Sequence, residues 1–155
     1  ARREASSDEA GIGTGGGRVA AVILVDANVI MYAAGADHPH KKPSVAFLER
    51  VARGEVEATV DAEVLQEILH RYRAIGRWED GRRVYDLARQ LFRNVVPVTA
   101  EVLDRARRIL DTDRRIMARD ALHAAVVMSE RLEAVCSWDR DFDRIKGLVR
   151  REPDA

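Results

Sequence analysis

The chain has 155 residues, of which 46% are hydrophobic and 34% are charged, so it is long enough for one globular domain and is not composed like a disordered chain. Because its 26 basic and 26 acidic residues cancel, a general basic field is excluded, and any contact with nucleic acid must come from a local patch. The single cysteine, Cys136, excludes an internal disulfide, and no apolar run approaches the roughly 20 residues that span a bilayer, so we expect a cytoplasmic protein without membrane contact.

The first 18 residues are polar and rich in glycine, and we expect residues 1–18 to form a flexible tail. Gly11, Gly13 and Gly16 match the G-x-G-x-x-G pattern, but the strand that should precede it and the helix that should follow it are missing from the sequence pattern. We therefore expect no dinucleotide site. The globular domain is expected at residues 19–150 and a short C-terminal tail at residues 151–155.

From residue 20 onward, strands alternate with helices. A continuous apolar run at residues 20–25 predicts a buried parallel strand, and residues 28–35 predict a short helix. Pro43 fits the first turn of a second helix that ends near Gly54. A second strand is expected at residues 58–60.

The second half of the chain continues this alternation. Asp61 and Thr99 are placed to cap the helices that follow them. These two helices and the one between them are expected to bury Val64, Leu65, Ile68, Leu69, Tyr72, Ile75, Val84, Tyr85, Ala88, Leu91, Phe92, Val102, Leu103, Ala106, Ile109 and Leu110. A strand at residues 95–98 carries Pro97, which favours a sheet edge. A small-residue helix, a strand, a short turn and a last strand follow at residues 119–131, 134–137, 141–145 and 148–149.

This order predicts an α/β fold, a three-layer α/β/α sandwich with a short central parallel sheet. Ligands of such sheets bind beyond the carboxyl ends of the strands. Asp26 follows the first strand and Asp139 follows the strand at residues 134–137, so both are expected at this edge. Asp26 alone fits a helix cap equally well. Asp141 is kept in reserve in case Asp139 only caps the turn.

Two further acids lie on helices. At 100° per residue, Glu67 lies about 125° from the centre of the apolar face of its helix, whereas Glu63 lies about 165° away and points outward. Asp120 begins the small-residue helix, whose alanines allow it to approach the strand ends. Each acid alone has an ordinary explanation, but together they predict a carboxylate cluster. Such a cluster needs a divalent cation, and an all-oxygen site selects Mg²⁺ or Mn²⁺.

These residues, in this order, resemble the PIN domain, and specifically the VapC-type toxins of bacterial toxin–antitoxin pairs. The motifs are residues 25–30, 64–68, 119–125 and 137–142, and the resemblance covers about residues 20–149. It implies a PIN-like fold, an acidic quartet and two supporting polar residues: Asp26, Glu67, Asp120 and Asp139, with Asn28 and Ser137. Ser137 stands where the family usually has threonine and keeps its hydroxyl, and Trp138 is bulkier than the residue usual at this position.

The resemblance also implies a function. It is that of a Mg²⁺- or Mn²⁺-dependent endoribonuclease, a homodimer that acts as the toxin of a type II pair and is inhibited by a VapB-type antitoxin. Asp26, Asp120 and Asp139 would hold the metal, and Glu67 would bind it or orient the attacking water. Arg119 and Arg140 are expected to contact RNA phosphates, although each also fits a solvated surface.

Two alternatives remain open from the sequence. One is a PIN-like module that binds RNA or a protein without cutting, and the other is a PIN nuclease of RNA processing or DNA repair outside any toxin pair. The histidines show no zinc-ligand spacing. His123 lies one turn after Asp120, but such residues are more often simply packed and hydrogen-bonded, so it is left outside the predicted site.

Overall fold

The computed structural model describes residues 21–155. The predicted tail at residues 1–18, the glycine pattern within it and the predicted start of the first strand at residue 20 lie outside this range. The strands are β1 (Ile23–Val25), β2 (Ala58–Asp61), β3 (Val95–Val96), β4 (Ala134–Cys136) and β5 (Arg150–Arg151). The helices are α1 (Ala27–Ala34), α2 (Lys41–Ala52), α3 (Ala62–Ala74), α4 (Trp78–Leu91), α5 (Ala100–Leu110) and α6 (Ala118–Ser129), with a 3₁₀ helix at Arg140–Arg144.

The five strands form one parallel sheet in the order β3-β2-β1-β4-β5, with β1 at the centre. Side chains alternate across a strand, so Ile23 and Val25 pack into one core while Leu24 between them packs into the other. Helices α1–α4 cover the first face, and α5, α6 and the 3₁₀ helix cover the second. The predicted three-layer sandwich is therefore confirmed.

The two helical layers pack differently. Ala121, Ala124 and Ala125 of α6 are completely buried, which brings this helix close to the sheet, as the small-residue pattern predicted. On the other face, α3 and α4 meet at Gly81, where an added Cβ atom would lie 2.4 Å from Cβ of Tyr72. No side chain larger than hydrogen fits at Gly81 unless the helices separate.

The predicted caps are confirmed. Asp61 accepts a hydrogen bond from the backbone N–H of Val64 at the start of α3, and Thr99 does the same for Val102 at the start of α5. Both caps follow the end of a strand region, so they fix the direction in which each helix leaves the sheet. None of the helices in residues 21–155 is both long and apolar enough to cross a membrane.

Two residues predicted for the core are exposed. Ile75 is 45% exposed because α3 ends at Ala74, so the apolar stripe continues one residue past the helix. Leu103 is 50% exposed because its face of α5 borders an open cleft instead of the sheet.

Strand boundaries differ most at the C-terminus. The last strand was expected at residues 148–149, but β5 lies two residues later, so it crosses the expected domain end at residue 150. The apolar pair Leu148 and Val149 suggested a strand, yet Leu148 packs under the second face and the pairing with β4 begins at Arg150. Strand β3 is cut short before Pro97 and lies at the sheet edge, as the proline predicted.

Candidate active site

Asp26 directly follows the central strand β1 and occupies the N-cap position of α1. Its side chain makes no cap hydrogen bond there; instead its carboxylate accepts a 2.6 Å hydrogen bond from the Ser137 hydroxyl beyond β4. The sequence left two explanations for Asp26 open, a helix cap and a site residue. Asp26 occupies the cap position, but its carboxylate faces a cleft at the carboxyl edge of the sheet.

Ser137 joins the ends of β1 and β4. Besides donating to Asp26, its hydroxyl oxygen accepts from the Asn28 side-chain amide at 3.0 Å and from the backbone N–H of Asp139 at 3.0 Å. The Arg150 guanidinium on β5 donates to the Ser137 carbonyl at 3.0 Å and is itself paired with Asp143. The two residues expected to support the site therefore contact each other and hold the carboxylate in place.

Trp138 does not add its bulk to the cleft. Its ring stacks on His40 with centroids 3.9 Å apart, and its indole N–H donates to the buried Ser44 hydroxyl at 2.9 Å. These contacts hold the indole against α2 and the loop before it.

Three side chains form what we call the inner cluster: Asp26, Glu67 and His123. One potential ligand atom from each lies within 4.8 Å of the other two. His123, on α6, is 1% exposed, with its Nε2 atom 4.0 Å from Oδ1 of Asp26. Its Nδ1 atom is hydrogen-bonded at 2.6 Å to Oδ2 of Asp61, which is completely buried.

The electrostatics of the inner cluster follow from this burial. Burial raises the pKa of Asp26, and burial together with the Asp26 carboxylate raises the pKa of Glu67. For His123, burial lowers the pKa, but the Asp61 hydrogen bond and the surrounding carboxylates outweigh it and raise the pKa to about 9. Without a cation, the imidazolium of His123 compensates the buried acids together with the Arg119 guanidinium, which pairs with Glu67.

Three aspartates form the outer cluster: Asp120, Asp139 and Asp141. Asp139 caps the 3₁₀ helix by accepting from the backbone N–H of Asp141 at 2.9 Å, and the Asp141 carboxylate pairs with Arg144. Burial, followed by the nearby Asp139 and Asp26 carboxylates, raises the pKa of Asp120 to about 6. Asp139 is thus both a cap and a member of the outer cluster, and Asp141 stays the alternative to Asp139 as the fourth acid of the site.

Both clusters line one open cleft of about 750 Å³. Its other wall is apolar and includes Leu103, Leu110, Met117 and Leu122. Glu63 also lines this cleft, contrary to the outward direction that its helical angle indicated. It lies in the first turn of α3, at the point where the sheet ends and the cleft opens.

The two predicted RNA-contacting arginines differ. Arg119 lines the cleft and forms an ion pair with Glu67, so its charge is partly compensated within the site. Arg140 is exposed at the start of the 3₁₀ helix, next to Asp139 in the chain. Arg119 therefore lies at the carboxylates, whereas Arg140 is adjacent to Asp139 in the chain but is not among the residues that line the cleft.

The sequence missed the pairing of His123 with Asp61. Asp61 was predicted only as a cap, and His123 was placed outside the site, but the structure brings them together across 62 positions. The only available signal was the spacing of three residues between Asp120 and His123 on one helix, which puts both on the same face.

The donor set fits a divalent cation. Among residues 21–155, Oε2 of Glu67 and Nε2 of His123 are the buried side-chain polar atoms that have no hydrogen-bond partner, and both belong to the inner cluster. Clustered carboxylates raise one another's pKa unless a cation compensates them. The four predicted acids therefore line one cleft, but they fall into two groups, and each group has donors suited to a metal ion.

The PIN domain is the class that this fold and site define, and the sequence profile of that family matches residues 23–148. Among curated relatives, ribonuclease VapC13 of Mycobacterium tuberculosis is 40% identical over 129 residues, covering 83% of this chain and 98% of the relative. The chain therefore belongs to the PIN domain family, and the predicted resemblance to its VapC-type members is confirmed.

Two solved structures share the fold. VapBC2 from Rickettsia felis, determined bound to a DNA fragment from their promoter, superposes with a TM-score of 0.68 at 16% identity, covering 84% of this chain and 98% of that chain. FitAcB from Neisseria gonorrhoeae gives a TM-score of 0.65 at 19% identity, and the match covers 84% of this chain and 97% of that chain. At these identities the likeness concerns the arrangement of the layers.

Proposed function

We propose that this protein is a metal-dependent endoribonuclease and the toxin of a type II toxin–antitoxin pair. The observation that carries the proposal is the meeting of Asp26, Glu67, Asp120 and Asp139 around one cleft at the carboxyl edge of a PIN-type sheet. The 40% identity to a protein named ribonuclease VapC13 supports RNA as the substrate class.

In this proposal Asp26, Asp120 and Asp139 hold Mg²⁺ or Mn²⁺, and Glu67 binds the metal or orients the attacking water. When bound, the metal polarises the phosphodiester and provides a water that is easier to deprotonate. The Ser137 hydroxyl keeps the Asp26 carboxylate in one orientation through its 2.6 Å hydrogen bond. Arg119, which lines the cleft, and Arg140, which is exposed at the start of the 3₁₀ helix, bind RNA phosphates.

The proposed partner is a VapB-type antitoxin that covers the cleft. Support comes from the structural neighbour VapBC2 and from the exposed apolar wall, where Leu103 and Met117 are large exposed side chains. We also propose a homodimer in the cytoplasm. Size-exclusion chromatography with light scattering tests the dimer directly.

Cleavage of a structured RNA by the purified protein, with Mn²⁺ or with EDTA, tests the activity. We expect cleavage only with metal, and we expect Asp26→Asn to abolish it. Asp86→Asn on the exposed face of α4 is the matched control, because it makes the same chemical change away from the cleft. Equal cleavage with metal and with EDTA, or none in either, would contradict a metal-dependent nuclease.

The toxin role needs a separate test in cells. Induced expression in a bacterial host should stop growth, and co-expression of a short DNA-binding partner encoded directly upstream should restore it. Active nuclease in vitro without growth inhibition would instead favour a PIN nuclease outside a toxin pair.

A further inference from the structure

We propose that His123 is a metal ligand, and that the inner cluster is a mixed nitrogen–oxygen site that prefers a first-row transition-metal ion to Mg²⁺. This inference rests on the proposed metal-dependent function: it adds His123 as a ligand beside Asp26, the acid common to the proposed metal site and the inner cluster, and specifies the ion preferred there.

The first support is the pair of unpartnered atoms. Buried polar atoms are almost always hydrogen-bonded, yet in the part of the chain from residue 21 onward the exceptions are Nε2 of His123 and Oε2 of Glu67. They are not scattered, because their residues belong to the inner cluster, in which Asp26, Glu67 and His123 each offer a ligand atom within 4.8 Å of the other two. Ligands bound to one ion at about 2.0–2.2 Å are roughly 3–4 Å apart, so a small closure of these side chains suffices.

The second support is the group behind the imidazole. Nδ1 of His123 is held at 2.6 Å by Oδ2 of Asp61, and the other oxygen of Asp61 accepts from the backbone N–H of Val64 at 2.9 Å. Asp61 is therefore fixed at both oxygens. A carboxylate that accepts from one ring nitrogen orients the other nitrogen toward a metal, and this arrangement typically lies behind metal-binding histidines.

The alternative is a histidine that only contributes positive charge. In that case Nε2 would donate to Asp26, but the 4.0 Å separation is longer than a hydrogen bond. A cation bound beside Oδ1 of Asp26 would give the buried Nε2 atom the partner that it lacks. The contacts therefore favour ligation.

The contrast with the outer cluster gives the metal preference. Asp120, Asp139 and Asp141 offer only oxygen atoms, which suit Mg²⁺. An imidazole nitrogen raises the affinity for first-row transition metals far more than for Mg²⁺. The two clusters therefore differ in the ion that each one favours.

Electron spin-echo spectroscopy of bound Mn²⁺ tests the ligand without relying on activity. The full chain, labelled with [¹⁵N]histidine, is titrated with MnCl₂, and the hyperfine coupling of a histidine nitrogen to Mn²⁺ is recorded. We expect one coupled histidine nitrogen in the wild-type protein, a measurement that requires no variant.

Two variants assign that nitrogen. His123→Asn should remove the coupling and weaken Mn²⁺ binding by about tenfold or more, with Mg²⁺ binding changed less than about threefold. Asparagine can still donate to Asp61 from its amide, which protects the fold, and circular dichroism checks it. The matched control replaces the other three histidines, His38, His40 and His70, by asparagine and should keep the coupling.

Bound Mn²⁺ without histidine coupling, or coupling that survives in His123→Asn, would overturn the inference. In either case, cleavage of RNA that EDTA stops would leave the proposed function standing. If Mn²⁺ does not bind at all, the inference fails, and cleavage that is insensitive to EDTA would then contradict the proposed function as well.

Discussion

The inner and outer clusters use similar side chains in different surroundings. The inner cluster is the more buried one: Asp26, which Ser137 fixes, and His123, which Asp61 fixes, are buried, and Glu67 is partly buried. The outer cluster lies on a helix start and a 3₁₀ turn, and its three aspartates are all partly exposed. A charge is costly to bury without compensation, so the inner cluster contains a histidine and the outer cluster relies on water and neighbouring arginines.

The difference indicates which features of the site are built by the sheet. The ends of β1 and β4 are fixed because the two strands pair with each other, and Asp26 directly follows the last residue of β1. Asp139 and Asp141 lie further along the connecting segment and have local partners of their own. Substitutions should therefore affect the inner cluster most strongly.

Asp26→Asn should have the largest effect. The proposed metal loses a charged ligand, which is worth about 4 kcal/mol or more of transition-state stabilisation and corresponds to about 10³-fold slower cleavage. Single-turnover cleavage in Mn²⁺ measures the rate, and circular dichroism confirms that the variant folds. A variant within about tenfold of wild type would show that Asp26 is not a principal ligand.

Asp139→Asn and Asp141→Asn should separate the two candidates for the fourth acid. We expect cleavage to fall about 10²-fold for Asp139, because it lies next to Asp120 and the strand end, and only a few-fold for Asp141, which is engaged with Arg144. The same single-turnover assay decides. The reverse ranking would make Asp141 the ligand and Asp139 only the cap of the 3₁₀ helix.

Ser137→Ala tests whether the inner cluster depends on its support. Losing the hydroxyl that orients Asp26 should weaken Mn²⁺ affinity and cleavage by about tenfold, in the range typical of residues that orient metal ligands. Ser137→Thr keeps the hydroxyl and should retain most of the activity. Equal losses in both variants would indicate that packing, rather than the hydrogen bond, matters at this position.

The metal-free protein should be more stable at pH 6 than at pH 9. The pKa of His123 is raised to about 9 from 6.5, so its stabilising contribution is present below pH 6.5 and is lost as pH rises through 9. The pKa of Asp120 is raised from 3.8 to about 6, so its cost to the fold builds up as pH rises between these values and is fully present at higher pH. Thermal unfolding with EDTA should show a melting temperature a few degrees higher at pH 6.

Asp120→Asn sharpens this last prediction. It removes the acid that ionises near pH 6, so the change in melting temperature between pH 5 and pH 7.5 should become smaller than in the wild-type protein. A melting temperature that rises steadily from pH 6 to pH 9 would contradict the assigned charges.

Much of the fold could be predicted because buried parallel strands and amphipathic helices carry their own patterns. Asp26 and Asp139 followed from the strand-end rule, and the phase of α3 separated Glu67 from its solvated neighbours. The same argument failed for Glu63 and Leu103. A helical angle gives the position of a residue around its own helix, and it does not show whether that side of the helix borders a cleft. The pairing of Asp61 with His123 depends on tertiary contact, and the sequence indicated only that His123 shares a helix face with Asp120.

The edge strand β5 has a consequence for how the chain end can be handled. Arg150 lines no part of the cleft, yet it holds the carbonyl of Ser137, whose hydroxyl holds Asp26. Deleting residue 150 and the residues after it, or inserting a bulky partner there, would therefore remove the contact that holds Ser137 and would disturb the Asp26 carboxylate. The edge strand β5, which looks dispensable in the sequence, therefore supports the end of the neighbouring strand β4 and, through Ser137, the Asp26 carboxylate after the central strand β1.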